Sequence, residues 1–160
     1  MKTLYLMRHA EAATGSPDGQ DHSRPLTDLG RAQAARAAAF IKTLPQQPDS
    51  AIASDSLRTK DTAKIVHKAG ISFQADLYLA SADRLLAAIQ GVDQKYNTLL
   101  VVAHNPGVGE LALRLADKRY DDLISFPPAT IAVLTTDADD WYDIDDTNMW
   151  LQDVFEVSKF

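Results

Sequence analysis

The sequence predicts an α/β fold: a three-layer sandwich with a mostly parallel central sheet flanked by helices. Two observations carry that expectation. Short apolar runs alternate with helical patterns along all 160 residues, the signature of strands joined by crossover helices. The clearest run, Thr98 to Ala103, is continuously apolar and branched, as strands buried on both faces are. No internal repeat or long linker divides the chain, so residues 1–160 are read as one domain.

The elements follow in order. Leu4 to Met7 is apolar enough for a buried first strand, with Arg8 and His9 at its end. Thr14 to Arg24 carries Gly15, Ser16, Pro17, Asp18, Gly19 and Asp21, a loop composition that Pro25 extends. Thr27 is a good N-cap, Asp28 suits the first helical turn, and an alanine-rich helix runs to about Leu44 before Pro45 and Pro48. Its apolar stripe is expected at Leu29, Ala32, Ala35, Ala39 and Phe40. Ala51 to Ala53 forms a second strand, and Ser54 and Ser56 are expected to cap a helix from Leu57 to about Ala69, stopped by Gly70. Ile71 to Ala75 reads as a strand near the sheet edge and Asp83 to Gln90 as an amphipathic helix. After Thr98–Ala103, His104-Asn105-Pro106-Gly107 turns into a helix from about Val108 to Leu115. Ile131 to Thr135 and Trp150 to Val157 are the last strands, with a short helix around Trp141 between them.

Bulk properties narrow the function. The net charge of −6 disfavours a nucleic-acid surface, which is normally a basic stripe. No segment approaches the roughly 20 apolar residues of a membrane span, and the N-terminal apolar run is too short for a signal peptide. There is no cysteine for a disulfide or a thiolate metal site. A soluble, cytoplasmic protein is expected.

Ligands in such folds bind beyond the carboxyl ends of the strands. Arg8 and His9 follow the first strand, Arg58 sits one turn beyond the second, and His104 follows the Thr98–Ala103 strand. Taken singly, a histidine after a strand is often structural, and an arginine early in a helix is often solvated. Together, four cationic or nucleophilic groups at one edge need an anion to offset their repulsion.

These residues carry a resemblance. Leu6-Met7-Arg8-His9-Ala10-Glu11 resembles the Arg-His-Gly box of the histidine phosphatase (phosphoglycerate mutase-like) superfamily, with alanine where glycine is commoner. Leu26-Thr27 with Gly30, Gln33 and Ala34 resembles its Leu-Thr-x-x-Gly-x-x-Gln-Ala segment. Ser54 with Arg58, Thr62 and Ala63 resembles its Ser-x-x-x-Arg-x-x-x-Thr-Ala segment, and Val102-Ala103-His104 its second histidine box. Phe126 to Thr130 adds a weaker match. The short length and the Arg24-Pro25-Leu26-Thr27 run look most like the SixA-type phosphohistidine phosphatases.

The resemblance implies His9 as nucleophile in a covalent phosphohistidine intermediate, with Arg8, Arg58 and His104 on the phosphoryl oxygens and no metal or other cofactor. Arg24 and Asn105 are further candidates for substrate binding. Ester-hydrolysing relatives carry a carboxylic acid for the leaving group. Here Asn105 follows His104, and between Glu11 and Glu110 there is no glutamate. Asp83 and Asp21 are the candidate acids, with Asp76 and Asp18 behind them, and each also reads as a loop or cap residue. Glu11 reads as an orienting residue or a loop carboxylate, His22 as a loop residue near the pocket rim, and His67 as helix surface. The aspartates between Asp137 and Asp146 lack the glycine and terminal glutamate of a calcium loop and read as a solvated connection.

A protonated phosphoimidazole leaves as neutral imidazole without an acid, so the missing glutamate favours phosphohistidine. The expected substrate is a phosphorylated protein, such as a phosphorelay domain, or else a small phosphate ester. A phosphate-recognition module without catalysis is the alternative outside enzymes.

Overall fold

The computed structural model describes residues 1–116 and 125–157. Its six-stranded sheet comprises β1 (Lys2–Arg8), β2 (Ser50–Ser54), β3 (Ile71–Gln74), β4 (Thr98–Ala103), β5 (Ile131–Thr136) and β6 (Trp150–Phe155), in the order β3-β2-β4-β1-β5-β6. β1 to β4 are mutually parallel, and β5 runs antiparallel to its neighbours β1 and β6. The helices are α1 (Asp28–Lys42), α2 (Leu57–Val66), α3 (Ala82–Gln90) and α4 (Gly107–Leu115). The predicted three-layer fold and the edge position of β3 are observed.

The two-residue period of the strands divides the core. Leu4 and Leu6 of β1, with Leu99 and Val101 of β4, face one way and pack with Leu85, Ile89, Val108 and Leu111 of α3 and α4. Tyr5 and Met7, with Leu100 and Val102, face the other way onto Ala34, Ala37, Ile41 and Ala63 of α1 and α2. Each central strand is therefore buried on both sides, which explains its unbroken apolar run.

The stripe of α1 differs from expectation. Leu29 is 57% exposed, and the buried face is Gly30, Ala34, Ala37 and Ile41. The spacing of 4, 3 and 4 residues keeps these on one line of the helix. The small Gly30, Ala34 and Ala37 let α1 lie close to the loop after β1. α1 also stops two residues early, where the Gln47 side-chain amide donates to the carbonyls of Ile41 and Leu44, both at 2.8 Å. α2 ends at Val66 rather than Ala69, because residues 67–70 are needed to turn into β3, with Gly70 at φ +69°. Around Trp141 there is a single 3-10 turn, Trp141–Asp143, capped by the side chain of Asp140.

The Leu-Thr-x-x-Gly-x-x-Gln-Ala segment clamps the chain just beyond His9. Thr27 caps α1 by accepting from Gly30 N at 2.9 Å and donates to the Glu11 carboxylate at 2.7 Å. Gln33 Oε1 accepts from Glu11 N at 2.9 Å. A Cβ on Gly30 would stand 2.0 Å from the Glu11 carbonyl oxygen, so only glycine permits this approach.

Gly30→Ala should therefore destabilise the protein by about 1–3 kcal/mol, read as a lower midpoint in urea unfolding with an unchanged slope.

Candidate active site

Three adjacent strands deliver the site. The Arg8↔Ala103 register ends β1 and β4 at the same level, and the His9 amide extends the ladder by donating to Ala103 O at 3.0 Å. His9 and His104 consequently emerge side by side, ring centroids 5.4 Å apart and nearly edge to face. From β2, on the other side of β4, comes Ser54, followed by the turn into α2 that carries Arg58.

Hydroxyl groups fix that turn. Thr59 Oγ1 donates within the turn, its acceptors Ser54 O and Ser56 O lying at 2.8 and 2.9 Å. Thr62 Oγ1 lies 2.8 Å from Arg58 O and accepts from Ala10 N at 3.1 Å, tying α2 to the chain behind His9. Ser56 occupies the N-cap position without capping; its hydroxyl bonds that of Thr59. Ser54 is not a cap either. It ends β2 fully buried, with Oγ 2.8 Å from His104 Nε2.

The imidazole roles follow from their partners. His9 Nδ1 is 2.7 Å from Ala10 O, and a carbonyl only accepts, so Nδ1 carries the proton. The neutral ring then keeps its lone pair on Nε2. Burial pushes the His9 pKa down to about 4, aided by Arg58, Arg8 and Arg24 and opposed by the Ala10 bond. Burial also takes His104 to about 3, aided by His9 and Arg58. Its Nδ1 lies 3.4 Å from an Arg58 terminal nitrogen, which donates weakly, so Nε2 carries the proton toward Ser54. Both rings are neutral at pH 7.

The arginines are poised differently. Arg58 is 2% exposed; one terminal nitrogen donates to Asp21 O at 2.8 Å and the other to the Asp21 carboxylate at 3.0 Å. Among the described residues, the Arg8 guanidinium donates to Phe126 O alone, at 3.4 Å. Burial and repulsion from Arg58 lower the pKa of Arg8. Among the described residues, the Nε atoms of both arginines are buried without a hydrogen-bond partner.

A cleft of about 370 Å³ opens over these groups, lined by Arg8, His9, Arg58 and His104 together with Glu11, Ala12, Asp21, Arg24, Leu79, Asn105 and Pro128. The structure thus gathers the four core candidates with Arg24, Asn105 and Asp21. It does not bring in Asp83, which is exposed and pairs with Arg114 at 2.7 Å. Asp76 faces Arg84 at 3.6 Å, and Asp18 bonds Ser16 and Ser23 within its own loop. Asn105 lines the cleft with its amide engaged, donating to Phe126 O at 3.0 Å and accepting from Gly109 N at 3.2 Å. Arg24 donates to Asp21 at 2.9 Å and to Ala13 O at 2.9 Å. His22 lies beside the cleft on Asp55, 2.9 Å away, and His67 is the half-buried C-cap of α2.

Asp21 is a counter-ion rather than an acid. The Tyr78 hydroxyl, Arg58 and Arg24 all contact its carboxylate and bring its pKa down to about 2. Sequence reasoning missed Tyr78, Leu79, Pro128, the Ala10 carbonyl and the Ser54–His104 bond. Of these, Ala10, Ser54 and Pro128 stand in matching segments, which carried a signal without a role, and Tyr78 and Leu79 carried none. Among the described residues no group of three or more His, Asp or Glu is placed to hold a metal ion, and no helix is long and apolar enough to cross a membrane.

Comparison with known proteins bears on the family and the fold. The model of the histidine phosphatase superfamily (branch 1) matches residues 4–80. An uncharacterised protein of Mycobacterium tuberculosis is 34% identical over 148 residues, 87% of this chain and 92% of that protein. An uncharacterised chloroplastic protein of Arabidopsis thaliana is 30% identical over 129 residues, and the match spans 72% of this chain but only 59% of the plant protein. Among solved structures, one assigned as a phosphohistidine phosphatase SixA from Nakamurella multipartitia has a TM-score of 0.87 at 28% identity, covering 97% of this chain and 95% of that one.

Unfolded histidines take up protons near pH 6.5, but His9 and His104 do so in the fold only near 4 and 3. Their contribution to stability is therefore complete above about pH 6.5 and is lost as the pH falls from there through the folded values. Thermal melts from pH 7 to 4 should show this loss, and His9→Asn with His104→Asn should reduce it. Imidazole NMR of the wild type should show both rings neutral down to about pH 5, with His9 protonated on Nδ1.

Proposed function

This chain belongs to the histidine phosphatase superfamily, and from that premise we propose that it is a single-domain cytoplasmic phosphatase that removes phosphoryl groups from histidine on a protein. A histidine phosphatase activity agrees with the solved SixA structure it resembles. Phosphohistidine as the substrate is the further step.

The reaction needs little from the protein besides placement and charge. His9 Nε2 attacks phosphorus in line, forming one P–N bond as the bond to the substrate imidazole breaks. The departing ring already carries a proton on its other nitrogen, so it takes the bonding electron pair and leaves neutral. Phosphorylated His9 is then in the same condition, cationic through the Nδ1 proton shared with Ala10 O. Water attacks phosphorus, His9 recovers its electron pair as neutral imidazole, and the water's proton goes to the phosphate product. Arg8 and Arg58 hold non-bridging oxygens throughout. His104 joins them by taking a proton from solvent on Nδ1, which a phosphoryl dianion favours by reversing the local charge and drawing Arg58 off that nitrogen. Ser54 keeps that ring in position from the opposite nitrogen.

The observation that carries the substrate preference is the state of the cleft's two carboxylates. Asp21 is held ionised by Tyr78, Arg58 and Arg24, and Glu11 is bonded by Thr27. Asp21 is therefore no protonated acid for an alkoxide, whereas an imidazole leaving group requires none. A small-ester phosphatase is the weaker reading for the same reason. A silent recognition module would have no use for a nucleophile whose tautomer is fixed.

Protein incubated with EDTA should release phosphate from a phosphohistidine protein far faster than from para-nitrophenyl phosphate, with alkaline quenching to preserve the P–N bond. His9→Ala should lose more than about a thousandfold in rate. Equal rates on the ester would transfer the assignment to small esters, and thermal protection by phosphate without turnover would leave a recognition module.

A further inference from the structure

The cleft holds more than a phosphoryl group needs. At about 370 Å³ it is within the range of pockets that take a whole small organic group. Its charged floor accounts for the phosphate. Leu79, Pro128 and Ala12 remain on the wall, and a hydrated anion makes no use of them.

Leu79 is the least expected of these. It is 56% exposed, one of the few large apolar side chains the described residues present to solvent. Its backbone is in the left-handed region, φ +51°, where a Cβ-bearing, γ-branched residue is strained and asparagine or glycine is at ease. The conformation is set between two turn bonds, Tyr78 N to Ala75 O and Ala80 N to Leu77 O, both 3.2 Å. Pro128 sits in a similar setting: Ala129, next to it, has φ +64°, and Phe126 has φ +38°. Among the described residues these are the three non-glycine residues with positive φ, and all lie at or beside this cleft. Strain that gathers at one site is maintained by the surrounding structure and points to a use there.

Building on the phosphohistidine reading, we propose that Leu79, with Pro128, is a specificity-determining wall that receives the imidazole ring of the substrate phosphohistidine. The floor formed by Arg8, Arg58 and His104 takes the phosphoryl oxygens, and His9 approaches phosphorus opposite the leaving nitrogen. The ring attached to that nitrogen then projects away from the charged floor. A flat, weakly polar ring gains by leaving water against Leu79 and Pro128, whereas an ammonia leaving group would gain nothing there. The wall selects for the ring, and the floor accepts any phosphoryl group.

The test compares two P–N substrates, one with a ring on the leaving nitrogen and one without: a phosphohistidine peptide and phosphoramidate. In Leu79→Asn, which removes the apolar surface while tolerating the left-handed backbone, the ratio of kcat/KM for the peptide to that for phosphoramidate should fall about tenfold. Leu79→Met should retain most of the ratio, and Pro128→Ala should lower it in the same direction. The melting temperature of Leu79→Asn should be no lower than that of the wild type. A ratio unchanged in Leu79→Asn, or a clear drop in its melting temperature, would overturn the wall and leave the phosphohistidine assignment standing. If the wild type hydrolyses neither P–N substrate, the underlying assignment fails and the wall fails with it.

Discussion

The parallel pairing of β1 with β4 is the constraint on which the rest of the site depends. Parallel strands end on the same side of a sheet, so two residues that follow them in register emerge as neighbours. With Arg8 opposite Ala103, His9 and His104 are such a pair. A slip of one residue would turn every side chain of β1 to the opposite core, exchanging Leu4 and Leu6 with Tyr5 and Met7. The two dissimilar cores therefore hold the histidines in place. The site's alignment is a consequence of how alanine-lined α1 and leucine-lined α4 divide the sheet between them.

Bringing two arginines and two histidines together, three of the four buried, sets a problem of charge. The fold solves it by keeping the histidines neutral and giving the most buried arginine, Arg58, a carboxylate partner in Asp21. Asp21 is half exposed, on the 3-10 turn that precedes the Arg24-Pro25 run, and is shared with Tyr78 and Arg24. The same bonds that make it a good counter-ion disqualify it as an acid. One residue thus offsets the charge of the most buried cation in the cleft. The net negative charge of the chain is no obstacle, because the anion meets only the local arrangement of cations.

The backbone around the cleft is held by many small polar bonds. Thr27, Gln33, Thr59 and Thr62 fasten the segments behind His9 and Arg58, and Asn105 joins the start of α4 to the Phe126 carbonyl that Arg8 also reaches. Such a frame can maintain left-handed backbone at Leu79, Phe126 and Ala129.

The sequence by itself determined the alternation of strands and helices, the buried character of β1 and β4, and the residues at their ends. Each of these is a local property: the period of apolar residues, the capping Thr27, and the short boxes around His9, Arg58 and His104. The boxes also contained Gly30, Gln33 and Thr62, but their purpose was not legible, because their partners lie up to 52 residues away. The stripe of α1 was misplaced for a related reason: in a helix so rich in alanine, composition barely distinguishes one face from another, and packing chose the face with Gly30. Only tertiary structure separated Asp21 from Asp83. Both are aspartates in polar surroundings, and what makes one the partner of Arg58 and the other the partner of Arg114 is the folding of distant segments onto each other. The tautomer of His9 and the apolar wall at Leu79 were decided at the same level. Each depends on the direction in which a backbone carbonyl or side chain is held, and that direction is set by the whole fold.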